Sequence, residues 1–387
     1  MGNIHPACIA LNRSTGCLFG KHHNTQGRKT GPGGAALALH ASGMLYLAGN
    51  KGMAVFDTRD LRPGTGPGKG VLPRVGGVIN TSAITPDGGC RFALHPDGGL
   101  LYLVGGKGLA VFDLSDPAAP RRIGNVIKTG ALSNLTGGAA CVLHEGHLFI
   151  AGAKGLAIYN VARDLRAPRK VGHMRAVDTQ VLSYEGGISL KIIKGRRSRT
   201  LLYVLSGEGL GVLDVSEPGK PKVLTTLDTG CVLYNGCPCI SGSGSNDVLF
   251  LAGGKALGIL DATAPHNPRL VQTMNTGVMS TGAGCAMVTD VSNQLYGHAE
   301  TLLIAGGRGL GAFALPPARD MLAGTKPHRR GKLDTGVLSH DNESAILLDA
   351  RARRLYVAGG DGLAAFDLTT FDGATLDQTA VSLEDDP

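Results

Sequence analysis

Tryptophan is absent from these 387 residues, and all aromatics together make up 4% of the chain. Platforms on which unpaired bases stack are therefore scarce. No apolar run approaches the roughly 18 residues that a membrane-spanning helix needs. No acidic residue precedes Asp57, whereas Arg13, Lys21, Arg28 and Lys29 are basic. Residues 1–20 carry neither a charged start nor a clean apolar stretch, so the sequence reads as lacking a secretory signal. The start MGNIHP resembles an N-myristoylation site but has Pro6 where Ser or Thr is wanted. Without an export signal, the eight cysteines read as mostly reduced thiols. The expected location is intracellular, cytoplasmic first, with organelle import left open. No CxxC pair, GxSxG, HExxH or P-loop occurs, which removes the hydrolases, zinc sites and nucleotide triphosphatases that those motifs mark. No stretch keeps a 3.6-residue apolar period long enough for a helix.

Glycine is abundant, at 60 residues, and it recurs at fixed places. The phrase LYLVGGKGLAVFD around Lys107 has near-copies around Lys51, Lys154, Glu208, Lys255, Arg308 and Asp361. Seven copies at a period of about 52 residues indicate a repeat architecture. Within each copy, short apolar and β-branched runs alternate with Gly, Pro and Asp clusters, the signal of strands and tight turns. In the third copy the runs begin at Gly137, His147, Leu156 and Pro168. Four strands in each of seven units predict an all-β, seven-bladed β-propeller of antiparallel blades. The boundaries read as an N-terminal segment at 1–34, the propeller at 35–383 and an acidic tail at 384–387. Between blades runs the phrase DTGVLS (Asp334–Ser339), echoed near Thr81, Thr129, Thr179, Thr229 and Thr276. It appears again as STGCLF (Ser14–Phe19) and QTAVSL (Gln378–Leu383), so either terminus could supply the strand that closes the ring. The N-terminal copy is favoured.

The phrases GLAVFDLSDPAAPRRIG and GLGVLDVSEPGKPKVL resemble LVIVD repeats: a glycine, an apolar strand ending in Asp, then Ser-Asp-Pro or Ser-Glu-Pro and a second Pro. The resemblance runs over about residues 35–383, best in blades 2 and 4. It implies a propeller, often part of surface or multidomain proteins, and brings no catalytic motif. The chain departs from it in its long Gly-rich loops between blades and its lack of an export signal. The LYLAGG strand end also resembles kelch repeats, whose Tyr and Trp positions it lacks.

A meandering blade puts the GGKG turns and the DTGVLS loops on one face, here face one. Lys51, Lys107, Lys154, Lys255 and Arg308, against Glu208 and Asp361, then form a ring of turns that could hold an anion. Solvated turn lysines copied by duplication explain the same pattern. Glu208, Asp361, His340, Asp341 and Glu185 are the general acid–base candidates. The loops after the third strand fall on face two. Windows 58–75, 114–123, 161–171, 215–223, 262–270, 315–332 and 368–377 hold 18 Lys and Arg against 7 Asp and Glu. Lys194, Arg196, Arg197 and Arg199 add to that face, as do Arg329 and Arg330 in the longest loop.

Cysteines recur where innermost strands begin. Cys90, Cys237 and Cys285 read as one row and Cys141 and Cys239 as another, small apolar residues for a crowded axis. Cys237, Cys239 and Cys285 are also the candidates for a soft-metal site. No metal and no cofactor is expected. His40, His95 and His144 read as turn residues. The expectation is a non-catalytic interaction subunit that binds an acidic protein through face two. The alternatives are an enzyme or small-anion binder over the axis on face one, and a scaffold on a nucleic-acid phosphate backbone.

Overall fold

The computed structural model describes residues 8–12, 35–49, 51–60, 72–85, 89–133, 138–162, 164, 166–182, 187–194, 199–233, 237–254, 256–280, 284–292, 300–335, 337–338, 344–360 and 362–368. These residues form seven four-stranded antiparallel sheets. The predicted all-β, seven-bladed propeller is the fold.

Blade 2 shows the plan: Cys90–Leu94 innermost, then Leu100–Gly105, Gly108–Asp113 and Arg121–Ile127 outermost. The inner strands of blades 1 and 3–7 are Ala36–Leu39, Ala139–His144, Ile188–Lys194, Cys239–Gly242, Ala286–Asp290 and Ala345–Asp349. The second and third strands are buried along almost their whole length, because other blades cover both sides. Outer strands are mostly exposed and polar, as in Arg121–Ile127 and His328–Leu333. This is how near-continuous apolar runs and alternating runs coexist in one repeat.

The core is divided into seven clusters, one at each seam between blades. At the seam of blades 1 and 2, Ala36, Ala38, Tyr46 and Val55 meet Leu101, Leu103, Ala110 and Phe112. No blade has a core of its own, so truncating one of these leucines to Ala loosens two blades and costs about 2–5 kcal/mol.

Two glycine positions explain the repeated turns. In six of the seven blades the third strand opens with a glycine of strongly positive φ, 146° at Gly108 and 137° at Gly155; blade 5 has Ala256 there. A Cβ there would lie 2.3 Å from the Ile127 carbonyl and 2.1 Å from that of Met174. In the loops between blades, the residue after the buried threonine is left-handed: Gly130, Gly230 and Gly277, but also Ser82 and Gln180. The threonine hydroxyl accepts a backbone N–H two or three residues on, from Ala131 at Thr129 and from Leu182 at Thr179.

The ring closes through the N-terminal end. Cys8–Asn12 pairs antiparallel with Gly362–Asp367 and becomes the outer strand of blade 7. The phrase Ser14–Phe19 begins two residues after Asn12, one residue later than DTGVLS begins after Leu333. Both it and Gln378–Leu383 lie outside the described residues. Arg354 donates to the Thr58 carbonyl at 2.7 Å, tying blade 7 to blade 1.

Two local expectations are corrected. The fourth run of the third repeat is a strand only over Arg169–Arg175; one helical turn, Ala176–Thr179, follows it. The longest loop contains a second short helix, Ala318–Leu322, which buries Met321 in the seam of blades 5 and 6. Neither segment is long enough to show an apolar period. No helix among the described residues could span a membrane.

Candidate axial site

The hairpin turns of face one join second and third strands, so their side chains ring the axis one strand outside the inner strands. Lys51, Lys107, Lys154, Glu208 and Arg308 are exposed there. Their backbones are fixed: Lys107 N–H donates to the Ala83 carbonyl at 2.9 Å, Lys154 to Ala131 at 2.9 Å and Arg308 to Val278 at 3.0 Å. Each of these bonds docks a turn on the loop that enters the same blade. Among the described residues, none of the four cations is in an ion pair. Lys255, Asp361, His340, Asp341 and Glu185 lie outside the described residues, which leaves Glu208 as the described acid–base candidate.

Face two differs. The third strands end in Asp57, Asp113, Asp214, Asp261 and Asp367, one residue ahead of the loop windows whose charge was counted. Asp57 pairs with Arg59 at 2.7 Å, Asp113 with Arg166 of the next blade at 2.8 Å, and Asp261 with Arg269 at 3.0 Å. Asp214 lies 4.0 Å from Arg199. Lys194 pairs with Glu145. Arg329 and Arg330 stand exposed on the outer strand of blade 6 rather than in the loop before it. Arg196 and Arg197 lie outside the described residues. The strand-end carboxylates Asp57, Asp113, Asp214, Asp261 and Asp367 offset part of the basic charge of this face.

The Asp side chains also shape the loops. Each of Asp57, Asp113, Asp214 and Asp261 accepts a backbone N–H two residues on. Asp57 is held below the usual carboxylate range by its hydrogen bonds from Arg59, Asp113 by those from Ser115, and Asp214 by those from Ser216. His40 bonds Ser42 and His95 pairs with Asp97 within their turns.

The inner strands carry a signal that reading along the sequence did not find. Strand pairing aligns Arg91 with Ala36, Ala140, Ser189, Cys239, Ala286 and Ala345 of the other blades. It aligns Lys191 with Ala38, Ala93, Val142, Ser241, Val288 and Leu347. In both columns six blades have small or apolar residues and one has a cation. Arg91 is half-buried and donates to the carbonyls of Ala35 at 3.0 Å and Cys90 at 2.9 Å. The bond to Ala35 reaches across to the start of the inner strand of blade 1. Lys191 is half-buried, and burial depresses its pKa. No hydrogen bond or ion pair joins it to another described residue. It has a niche: a Cβ on Gly242 of blade 5 would sit 2.9 Å from Lys191 Cε. At the position of Gly242 the other blades carry Leu39, Leu94, Leu143, Ile192, Thr289 and Leu348. The inner-strand carboxylates Asp290 and Asp349 stand at the face-two ends, away from both cations.

The cysteine rows need one correction. Pro238, not Cys237, is equivalent to Cys90, and Cys239 falls in the column of Arg91. The CPC turn advances the register of blade 5 by one residue. Cys90, Cys231, Cys237, Cys239 and Cys285 are buried free thiols. Burial pushes the Cys141 thiol up to about 12. Among the described residues no three His, Cys, Asp or Glu side chains are grouped to hold a metal ion.

Residues 97–127 match the LVIVD repeat, the segment covering most of blade 2 and its Asp-Pro loop. No curated protein matches in sequence. The fold is similar to a functionally unknown protein from Desulfotomaculum acetoxidans, at TM-score 0.57 and 12% identity over 85% of this chain and 94% of that one. It is similar to a putative 6-phosphogluconolactonase from Bacteroides uniformis, at 0.55 and 11%, covering 79% and 84%. It is also similar to the periplasmic gluconolactonase of Pseudomonas aeruginosa, at 0.52 and 14%, covering 73% and 81%. At these identities the likeness concerns the propeller fold.

Proposed function

We propose that the chain is a ligand-binding propeller that takes a small anion on its axis. Arg91 and Lys191 hold the anion from within, and Lys51, Lys107, Lys154 and Arg308 attract it from the rim of face one. The carrying observation is the pair of cationic departures from the inner-strand repeat, one of them seated over Gly242. A cation partly removed from water costs free energy unless a counter-charge offsets it. The described inner strands offer Lys191 none at its level, and an anionic ligand would supply it. Positive walls of low dielectric also concentrate anions from solution.

Face two is the lesser candidate for an acidic macromolecular partner, because several of its cations already have carboxylates. A catalytic step is not part of the proposal.

Sugar acids are sensible first probes, since two proteins of similar fold are named for gluconolactone and its phosphate ester. Thermal unfolding with gluconate, 6-phosphogluconate or inorganic phosphate, against glucose at equal concentration, tests the proposal. The anions are expected to raise the midpoint and glucose to leave it unchanged. Equal shifts with glucose, or none with any anion, would count against an anion site.

A further inference from the structure

The seam of blades 5 and 6 holds a second chemical feature, independent of the axial cations. Cys239 opens the inner strand of blade 5, and Cys285 stands one residue ahead of the inner strand of blade 6. Their Sγ atoms are 3.1 Å apart, and both residues are buried, with 8% and 2% of their surfaces exposed. The backbones are already joined beside them. Cys285 N–H donates to the Cys237 carbonyl at 3.4 Å, and Cys237 forms a parallel bridge with Gly284. Cross-linking two cysteines needs their backbones to be close beforehand, and here the blade seam supplies that closeness. The register shift made by the CPC turn carries Cys239 into the column that faces blade 6.

We propose that Cys239 and Cys285 are an oxidisable dithiol that closes, with peroxide as oxidant, to a disulfide stapling blade 5 to blade 6. One sulfur, as thiolate, attacks a peroxide oxygen. The O–O bond breaks, leaving a sulfenic acid and a hydroxide that takes up the thiol proton as water. The second sulfur then attacks the sulfenic sulfur. The S–S bond forms, the S–O bond breaks, and the departing hydroxide leaves as water with the second thiol proton. Two thiols lose two electrons and two protons, and one peroxide becomes two waters. Peroxide suits the seam because it is small; a bulky disulfide reagent would have to part the blades.

Burial and the neighbouring thiol push the Cys239 pKa up. The thiolate is therefore scarce, and closure is slow compared with that of a low-pKa sensor thiol. The product would cross-link residues 46 apart in sequence. It restricts the unfolded chain, so it should raise resistance to unfolding.

The full-length chain is incubated with hydrogen peroxide and its intact mass and tryptic peptides are measured with and without reductant. The expected result is a loss of about 2 Da, reversed by reductant, with a higher melting temperature. Fragment spectra should link Cys285 to Cys239 rather than to Cys231 or Cys237, which share its tryptic peptide. Cys237→Ala should retain the link and Cys285→Ala should abolish it. Oxygen adducts without a cross-link, an unchanged mass, or a link from Cys285 to Cys237 would overturn the proposal. The wild-type peptide map decides the matter even if a variant fails to fold.

Discussion

The Tyr46 hydroxyl, on the second strand of blade 1, donates to the Pro117 carbonyl in a loop of blade 2 at 2.9 Å. Tyr203 of blade 4 makes the same bond to Pro265 of blade 5. At the closure, Tyr356 sits beside Thr58. The loop after the third strand of one blade thus receives the tyrosine of the blade before it. That gives a physical reason for two parts of the repeat to recur together: one is a buried phenol and the other is its acceptor.

Removing the Tyr46 hydroxyl leaves the Pro117 carbonyl short of a donor in a partly buried seam. Tyr46→Phe is expected to cost about 1 kcal/mol, and Tyr203→Phe a similar amount, read from the midpoint of urea unfolding. An unchanged midpoint for both would show that the bonds contribute nothing net.

Backbone strain gives substitutions of opposite sign. Gln180 has a φ of 62° at a position where Gly130, Gly230 and Gly277 are left-handed glycines. Gln180→Gly should stabilise by about 0.5–1 kcal/mol, the relieved left-handed strain less the added freedom of the unfolded chain. Gly155→Ala should destabilise by about 2–3 kcal/mol, because its Cβ would meet the Met174 carbonyl. Thermal melts of the two variants check both directions.

Asp57, Asp113 and Asp214 have pKa values depressed in the folded chain. Their contribution is therefore present above the unfolded carboxylate pKa, near about 4. It is lost as pH falls through the folded values, where both states are protonated. The melting temperature should fall as pH drops below about 4. The fall should be smaller in Asp214→Asn, which lacks one of the titrating groups.

Lys191 titrates with the opposite consequence. Its folded pKa is lowered by burial, so between that value and its unfolded value the unfolded chain binds more protons. Stability then rises with pH across that window. Lys191→Met should melt higher than wild type at pH 7 in the absence of anions, and the gap should narrow toward pH 10. A variant that melts lower at pH 7 would show that Lys191 is already compensated in the free protein.

Most of the architecture was legible because it is repeated. The turn glycines, the buried second and third strands and the phrase between blades recur at matching places, so each copy supports the others. The site was legible only in part, for the converse reason. Arg91 and Lys191 are departures from the repeat, and they stand out only when inner strands are aligned by pairing. In blade 5 the CPC turn shifts that alignment by one residue, which is why Cys237 was set in the wrong row. The ion pairs of face two were not legible, because each strand-end Asp precedes its loop in sequence, whereas in space Asp57 meets Arg59 and Asp113 meets Arg166 of the next blade. The short helix at Ala318–Leu322 had no period to reveal it, only the need to bury Met321.

The central claim is that the axis binds an anion through cations of the inner strands. Titration calorimetry with 6-phosphogluconate on wild type, Lys191→Met and Arg269→Ala tests it most directly. The account predicts binding by wild type, at least about a tenfold loss in Lys191→Met, equivalent to about 1.4 kcal/mol, and no change in Arg269→Ala on face two. Equal affinity for wild type and Lys191→Met, or loss of binding only in Arg269→Ala, would contradict it.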